Sequence, residues 1–504
     1  HDGERLHSVA LPTYPWEKVR YWIDPPSAAG RAATARRGSR RPDPAAWLYI
    51  PAWRRAGPAV PSPEAADGRW LVFHDDSPLA SAVADELRAR GIVVSVVRAG
   101  GRFATVADGF TVRPDDRGDY DALAAAARGA SDFALHAVHL WASGDGDAAR
   151  RQDAGFTSVS LLAAALARGG AAHLLAVTCA AQDVAGGEDV DHARATVAAA
   201  CAVASVEHPA LRARSVDLPA SGARDLAVRI ADEAMSDARD VAVAFRGGRR
   251  WVRAFEEASP ISIDRLKRGG GYLLIGGLEG RNDVLAEHLM ERWGARVALL
   301  DQRLPHRGAW DQALATRMAD DPVRRTIEWV LEREAAGAEI VTLQGVLTEP
   351  EQVGDAMAEA ERRMGRLDGV IAAWDLGELL EIEAAADLLP SRWTNRLERL
   401  EGRLRALATA VDGRELDFVV LESSLTPLLG GVGRARLAGA QALIDAFAGG
   451  AGWTSLAWDR GFPAGAVVEG FGLTPAETGT AFEHALSLGE PRVAISTGEL
   501  NARV

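Results

Sequence analysis

The stretch GGGYLLIGGLEGRNDVLAEHLMERWGARVALLDQR, from Gly269 to Arg303, limits the folds open to this chain more than any other. An apolar run from Tyr272 to Ile275 ends in glycines, an amphipathic helix is expected from about Asp283, and a second apolar run, Val297 to Leu300, closes a βαβ unit. A phosphate-binding loop in such a unit needs small residues where backbone meets phosphate, because a Cβ takes the space and a carboxylate repels the anion. Here Glu279 and Asn282 stand in those places.

The same alternation runs through most of the chain. Before the unit, apolar strands are expected near Trp70 to Phe73, Val93 to Val97, Leu135 to Trp141, His173 to Val177 and Val241 to Phe245, with helices at Leu79 to Arg90, Val159 to Ala167 and Arg194 to Val206. After it come strands at Glu339 to Leu343, Gly369 to Ala372, Phe418 to Leu421 and Ser455 to Trp458, with helices near Pro322 to Ala335, Glu351 to Arg363, Leu397 to Ala410 and Arg436 to Phe447. A last helix, Glu477 to Leu488, and a strand, Arg492 to Ser496, complete the tail. Strand and helix in alternation imply an α/β protein: two tandem Rossmann-like halves, each with a doubly wound parallel sheet. In the first half the strand at Trp70 runs into HDDSP (His74 to Pro78), with no glycine loop to hold a nucleotide.

At 504 residues the length alone suggests about three domains. A charge of −13 argues against nucleic acid or an anionic membrane as partner. No apolar run reaches the roughly 18 to 20 residues of a membrane span, and two cysteines, Cys179 and Cys201, make a disulfide framework improbable and the cytoplasm the expected compartment. The chain opens on His1, as a piece of a longer polypeptide would. HSVALPTYPWEKVRYWID (His7 to Asp24) has neither period but carries Tyr14, Trp16, Tyr21 and Trp22, which suits a strap laid across a neighbouring domain. Pro25 to Pro44, with Arg36, Arg37, Arg40 and Arg41, reads as a solvated linker.

Several motifs resemble the ketoreductase region of type I modular polyketide synthases. LPTYPWEKVRYW is similar to the linker that follows an acyltransferase domain, and ACAVASVEHPALRARSVDLP (Ala200 to Pro219) to a truncated structural subdomain. GRLDGVIAAW, LESSLTPLLGGVG and AISTGELNARV resemble parts of the catalytic subdomain. The resemblance implies a strap at 1–45, a structural subdomain at 46–250, a bridge at 251–268 and a catalytic-type subdomain of short-chain dehydrogenase/reductase type at 269–504. It also implies flanking acyltransferase, ketosynthase and acyl carrier protein domains, and a homodimeric parent synthase.

In that family NADPH reduces a β-keto group, and Ser, Tyr, Asn and Lys form the catalytic tetrad. Carried over by position, the Ser is Ser424, the Tyr is Leu437, the Asn is Gln441 and the Lys is Arg399. Leucine has no ionisable proton, and a guanidinium hardly deprotonates, so the proton relay is expected to be lost. The family loop TGGxGxxG reads IGGLEGRN: Gly276 and Gly277 are kept, while Ile275, Glu279 and Asn282 depart. The basic residue that selects NADPH falls at Gln302, with Asp301 before it and Arg303 after, and the adenine-flanking Asp-Val reads Gly345-Val346. The small ribose-lining stretch reads Ala373-Trp374-Asp375, and Trp374 is expected to fill cofactor space.

The expectation is therefore a redox-inactive pseudo-ketoreductase, with no bound cofactor and a scaffolding role in its module. The alternative is an altered activity, epimerisation or weak reduction, resting on Ser424, Gln441 and Arg399. His136, His139 and His173 read as core or edge histidines, Glu378, Glu381 and Glu383 as a solvated helix start, and no spacing suggests a metal site.

Overall fold

The computed structural model describes residues 39–129, 133–144, 146–220, 226–261, 265–278, 281–374, 390–460 and 470–504. The strap up to residue 38, Glu279, Asp375, Glu378, Glu381 and Glu383 lie outside the described residues.

The first half contributes β1 (Leu48–Ala56), β2 (Arg69–Phe73), β3 (Val94–Ala99), β4 (Ala104–Val106), β5 (Gly109–Val112), β6 (Leu135–His139), β7 (Ala172–Cys179), β8 (Leu211–Leu218), β9 (Ala242–Arg246) and β10 (Arg249–Ala258). The second contributes β11 (Gly271–Ile275), β12 (Arg296–Leu300), β13 (Ile340–Leu343), β14 (Gly369–Ala372), β15 (Phe418–Ser424), β16 (Thr454–Trp458) and β17 (Arg492–Ile495). In the second half the parallel order is β13-β12-β11-β14-β15-β16-β17. In the first it is β5-β3-β2-β6-β7-β8-β9, with β4 antiparallel on β5. Both are the doubly wound α/β architecture that the strand–helix alternation predicts.

The two sheets are not separate. β10 pairs antiparallel with β9 and then, over nine residue pairs, with β1, while β1 pairs antiparallel with β17. One continuous seventeen-stranded sheet results. Sequence periodicity misses β1 because Pro51, which lacks an N–H, interrupts LYIPAWRRA, and much of the strand is only half buried. The stretch expected as a bridge from residue 251 holds most of β10.

Helix starts follow local chemistry. Ser77 Oγ accepts from Ala80 N at 3.1 Å and Asp321 Oδ1 from Val323 N at 2.9 Å, while Thr474 and Glu477 form a capping box. Helices His192–Glu207 and Ala435–Ala451 pack together across the seam, and the stacked pair Phe156 and Trp393, with centroids 4.6 Å apart, carries one core through both halves. Gly439 makes this possible: a Cβ there would stand 2.7 Å from both rings.

Arg40 and Arg41 do not behave as solvated linker residues. Arg40 Nη2 meets Glu477 Oε1 and Arg41 Nη2 meets Glu257 Oε1, both at 2.6 Å, and each guanidinium also covers an aromatic ring, Trp47 or Tyr49. The histidines fall in the core and at its margin as expected. His136 stacks between Trp70 and His173, and buried His139 bonds Ser158 Oγ through Nε2 at 2.8 Å. Burial pushes His136 down to about 4 and His139 to about 3. Cys201 is a buried thiol, and Cys179 Sγ donates to the Pro219 carbonyl at 3.0 Å. Among the described residues no helix is long and apolar enough to cross a membrane, and no His, Cys, Asp and Glu group could hold a metal ion.

Candidate active site

In a doubly wound sheet the crevice lies beyond the C-terminal ends of the two strands where the chain switches direction, here β11 and β14. β11 ends at Ile275 and passes into Gly276 (φ 94°) and Gly277 (φ 63°), conformations that only glycine adopts without strain. Gly276 runs so close to β14 that a Cβ would stand 1.8 Å from the Ala373 carbonyl oxygen.

Two polar side chains stand against the glycine turn. Asn282, the first residue of helix Asn282–Trp293, is fully buried; its Nδ2 donates to the carbonyls of Ile275 (3.1 Å) and Gly277 (2.9 Å). Asp301, at the end of β12, is 2% exposed, and its Oδ2 would lie 2.3 Å from a Cβ on Gly277. Arg303 turns back on this carboxylate through its backbone N (2.8 Å), Nε (3.2 Å) and Nη2 (3.0 Å), while Gln302 is exposed. Trp374, two residues past β14, is 5% exposed and belongs to the core shared by the halves.

Arg281 is the loop residue that sequence reasoning passed over. Its guanidinium lies 4.9 Å from the Trp458 ring centroid and donates to the Asp459 carbonyl. Asp459 is in turn held by Arg503 through two bonds of 2.7 Å. Beside Trp458, the Glu422 carboxyl accepts from its Nε1 at 3.2 Å; burial pushes this group up to about 7, with the Arg281 charge opposing. Neither Arg281 nor Glu422 has a local signature, because both owe their surroundings to strands distant in sequence.

Two of the four tetrad positions are joined directly. Ser424, at the end of β15, donates through Oγ to Gln441 Oε1 at 2.6 Å, and Leu437 lies one helical turn before Gln441 on helix Ala435–Ala451. Ser424 Oγ also accepts from Thr426 N at 3.1 Å and stands 2.7 Å from Thr426 Oγ1. The serine two residues ahead of a threonine at a strand end is the turn signal by which Thr426 was readable. Leu437 is 7% exposed. Arg399, on helix Pro390–Val411, is exposed and among the described residues takes no hydrogen bond with Ser424, Leu437 or Gln441. The serine proton is thus committed to an amide, and no ionisable group stands at the position one turn earlier.

Residues 270–457 match the family model of the KR domain. Over this stretch the chain is similar to KR domains. The KR match covers strands β11 to β15 and β16 up to Ala457, and leaves out β17. The whole chain also resembles solved ketoreductases in fold. An N-terminal ketoreductase from the macrolactin assembly line has a TM-score of 0.69 at 18% identity, covering 94% of this chain and 95% of that one. The first ketoreductase of the tylosin PKS has a TM-score of 0.68 at 20% identity, covering 90% and 93%. Among curated proteins, a subunit of the phenolphthiocerol/phthiocerol polyketide synthase of Mycobacterium tuberculosis (strain CDC 1551 / Oshkosh) is 28% identical over 280 residues, 54% of this chain and 14% of that protein. Polyketide synthase GfsA of Streptomyces halstedii is 27% identical over 466 residues, 89% of this chain and 6% of that protein. The chain therefore spans a small fraction of the length of these curated relatives.

Proposed function

We propose that this KR domain is redox-inactive and serves as a structural unit of a polyketide synthase module, leaving the β-keto group of the tethered intermediate unreduced. The observation that carries the reading is Leu437 in place of a proton donor, one turn from the Ser424 to Gln441 hydrogen bond. Reduction of a ketone needs a proton as well as a hydride, and a leucine supplies none.

The residues at the switch point do not fit a dinucleotide. A pyrophosphate is held by backbone N–H groups at a helix N-terminus with nothing between. Here Asn282 reaches across the loop interior and the Asp301 carboxylate stands against Gly277. Arg303, the nearest cation for a 2′-phosphate, is engaged by Asp301. The persistence of a packed core around a closed loop favours scaffolding between flanking acyltransferase, ketosynthase and acyl carrier protein domains, in a homodimeric cytoplasmic synthase, over simple decay.

NADPH titration followed by nucleotide fluorescence, together with a reduction assay on a β-ketoacyl thioester, tests this. The expected result is neither saturable binding nor NADPH consumption above a protein-free control. Saturable binding with turnover would overturn the reading.

A further inference from the structure

At the seam between the halves lies a cavity of about 410 Å³, lined by neither the glycine turn after β11 nor Ser424, Leu437 or Gln441. Its base is the β1–β10 pair, where Trp53 and Arg253 are register partners. Its walls come from the two packed helices, Ala195 and Ala198 on one and Ala442 and Ala446 on the other. The volume is in the range of small-molecule sites, and such sites join apolar walls to a few polar groups.

The polar group without an answer is Arg253. Among the described residues its guanidinium has no carboxylate within ion-pair distance, and its Nη2 is buried with no hydrogen-bond partner; it lies over the Phe255 ring at 5.8 Å. The neighbouring Arg492 uses Nη2 on Asp445 Oδ2 at 2.5 Å but leaves Nε buried and unpartnered. Of the five carboxylates that line the cavity, three are answered by the chain's own donors, and Glu490 is half-buried. Asp445 is held by Arg492 and Ser455, Glu188 by Arg246 and two loop amides, Asp183 by the amides of Gly186 and Gly187, and Asp189 is exposed. A guanidinium nitrogen taken from water without a partner is costly, and an anion in the cavity that reaches it reduces that cost.

We propose that this cavity binds a small amphipathic carboxylate, its head group against Arg253 and its alkyl chain along the alanine walls. Burial, and to a smaller degree the Arg492 charge, push Arg253 down to about 10, so it stays cationic at neutral pH and retains its attraction for an anion.

The test is isothermal titration of the full chain with octanoate and, separately, with octanol. Octanoate is expected to bind at least about tenfold more tightly than octanol, the discrimination one charged hydrogen bond supplies. Arg253→Gln is expected to abolish that preference and Arg253→Lys to retain part of it. No octanoate binding, or equal binding of octanoate and octanol by the unaltered chain, would overturn the proposal. Because that comparison uses the parent protein, it holds even where a substitution disturbs folding.

Discussion

Asn282 Nδ2 donates to the carbonyl of Gly277 at 2.9 Å, so the side chain that begins the helix closes the loop in front of it. A residue that departs from the family's glycine has thereby become part of the loop's own structure. Replacing Asn282 with Gly removes this bond and the one to Ile275, and is expected to cost about 1–3 kcal/mol in urea unfolding. A variant as stable as the parent would show that the loop does not depend on them.

Restoring one lost group is not expected to restore reduction. Leu437→Tyr alone should consume no NADPH, because the loop ahead of helix Asn282–Trp293 is unchanged. Adding Glu279→Gly and Asn282→Gly should bring nucleotide binding first, seen as NADPH fluorescence, and turnover only after that. NADPH oxidation by Leu437→Tyr alone would refute the argument from the loop.

Glu422 predicts a pH dependence. Burial raises its folded value from 4.5 to about 7, so the carboxyl keeps its proton in the folded chain after the unfolded chain has lost it. Its contribution is fully present below about pH 4.5 and is lost as pH rises through 7, a change on the order of 3 kcal/mol. Urea unfolding of parent and Glu422→Gln between pH 5 and 8 checks this. The variant should lose less stability across that window, and parallel curves would count against it.

In the first half, Glu233 is fully buried between two arginines, with Arg250 Nε at 2.7 Å from Oε2 and Arg214 bonded to Oε1. It ties helix Ala227–Ala234 to β8 and β10. Glu233→Ala leaves the Arg214 guanidinium in the interior without a carboxylate, while Arg250 keeps Asp240 at 2.7 Å, and is expected to cost about 3–5 kcal/mol, measured by chemical denaturation. A loss under about 1 kcal/mol, the value of an exposed pair, would mean that water reaches the site.

Much of this molecule is legible in its residue order. The parallel strands β11, β12 and β14 are short continuous apolar runs, and the helices between them carry one apolar stripe, so local period alone identifies them. The changed chemistry at Leu437, Gln441, Glu279 and Asn282 is likewise visible, because an absent proton donor or an added Cβ is a property of the residue itself. Only the tertiary structure decided that β1 and β10 would fuse two sheets into one, that Arg303 would turn back on Asp301, that Arg399 would stand in solvent, and that Arg281 would lie over Trp458. The physical reason is that periodicity records which face of an element is apolar, whereas strand partners and ion-pair partners are chosen between residues tens or hundreds of positions apart.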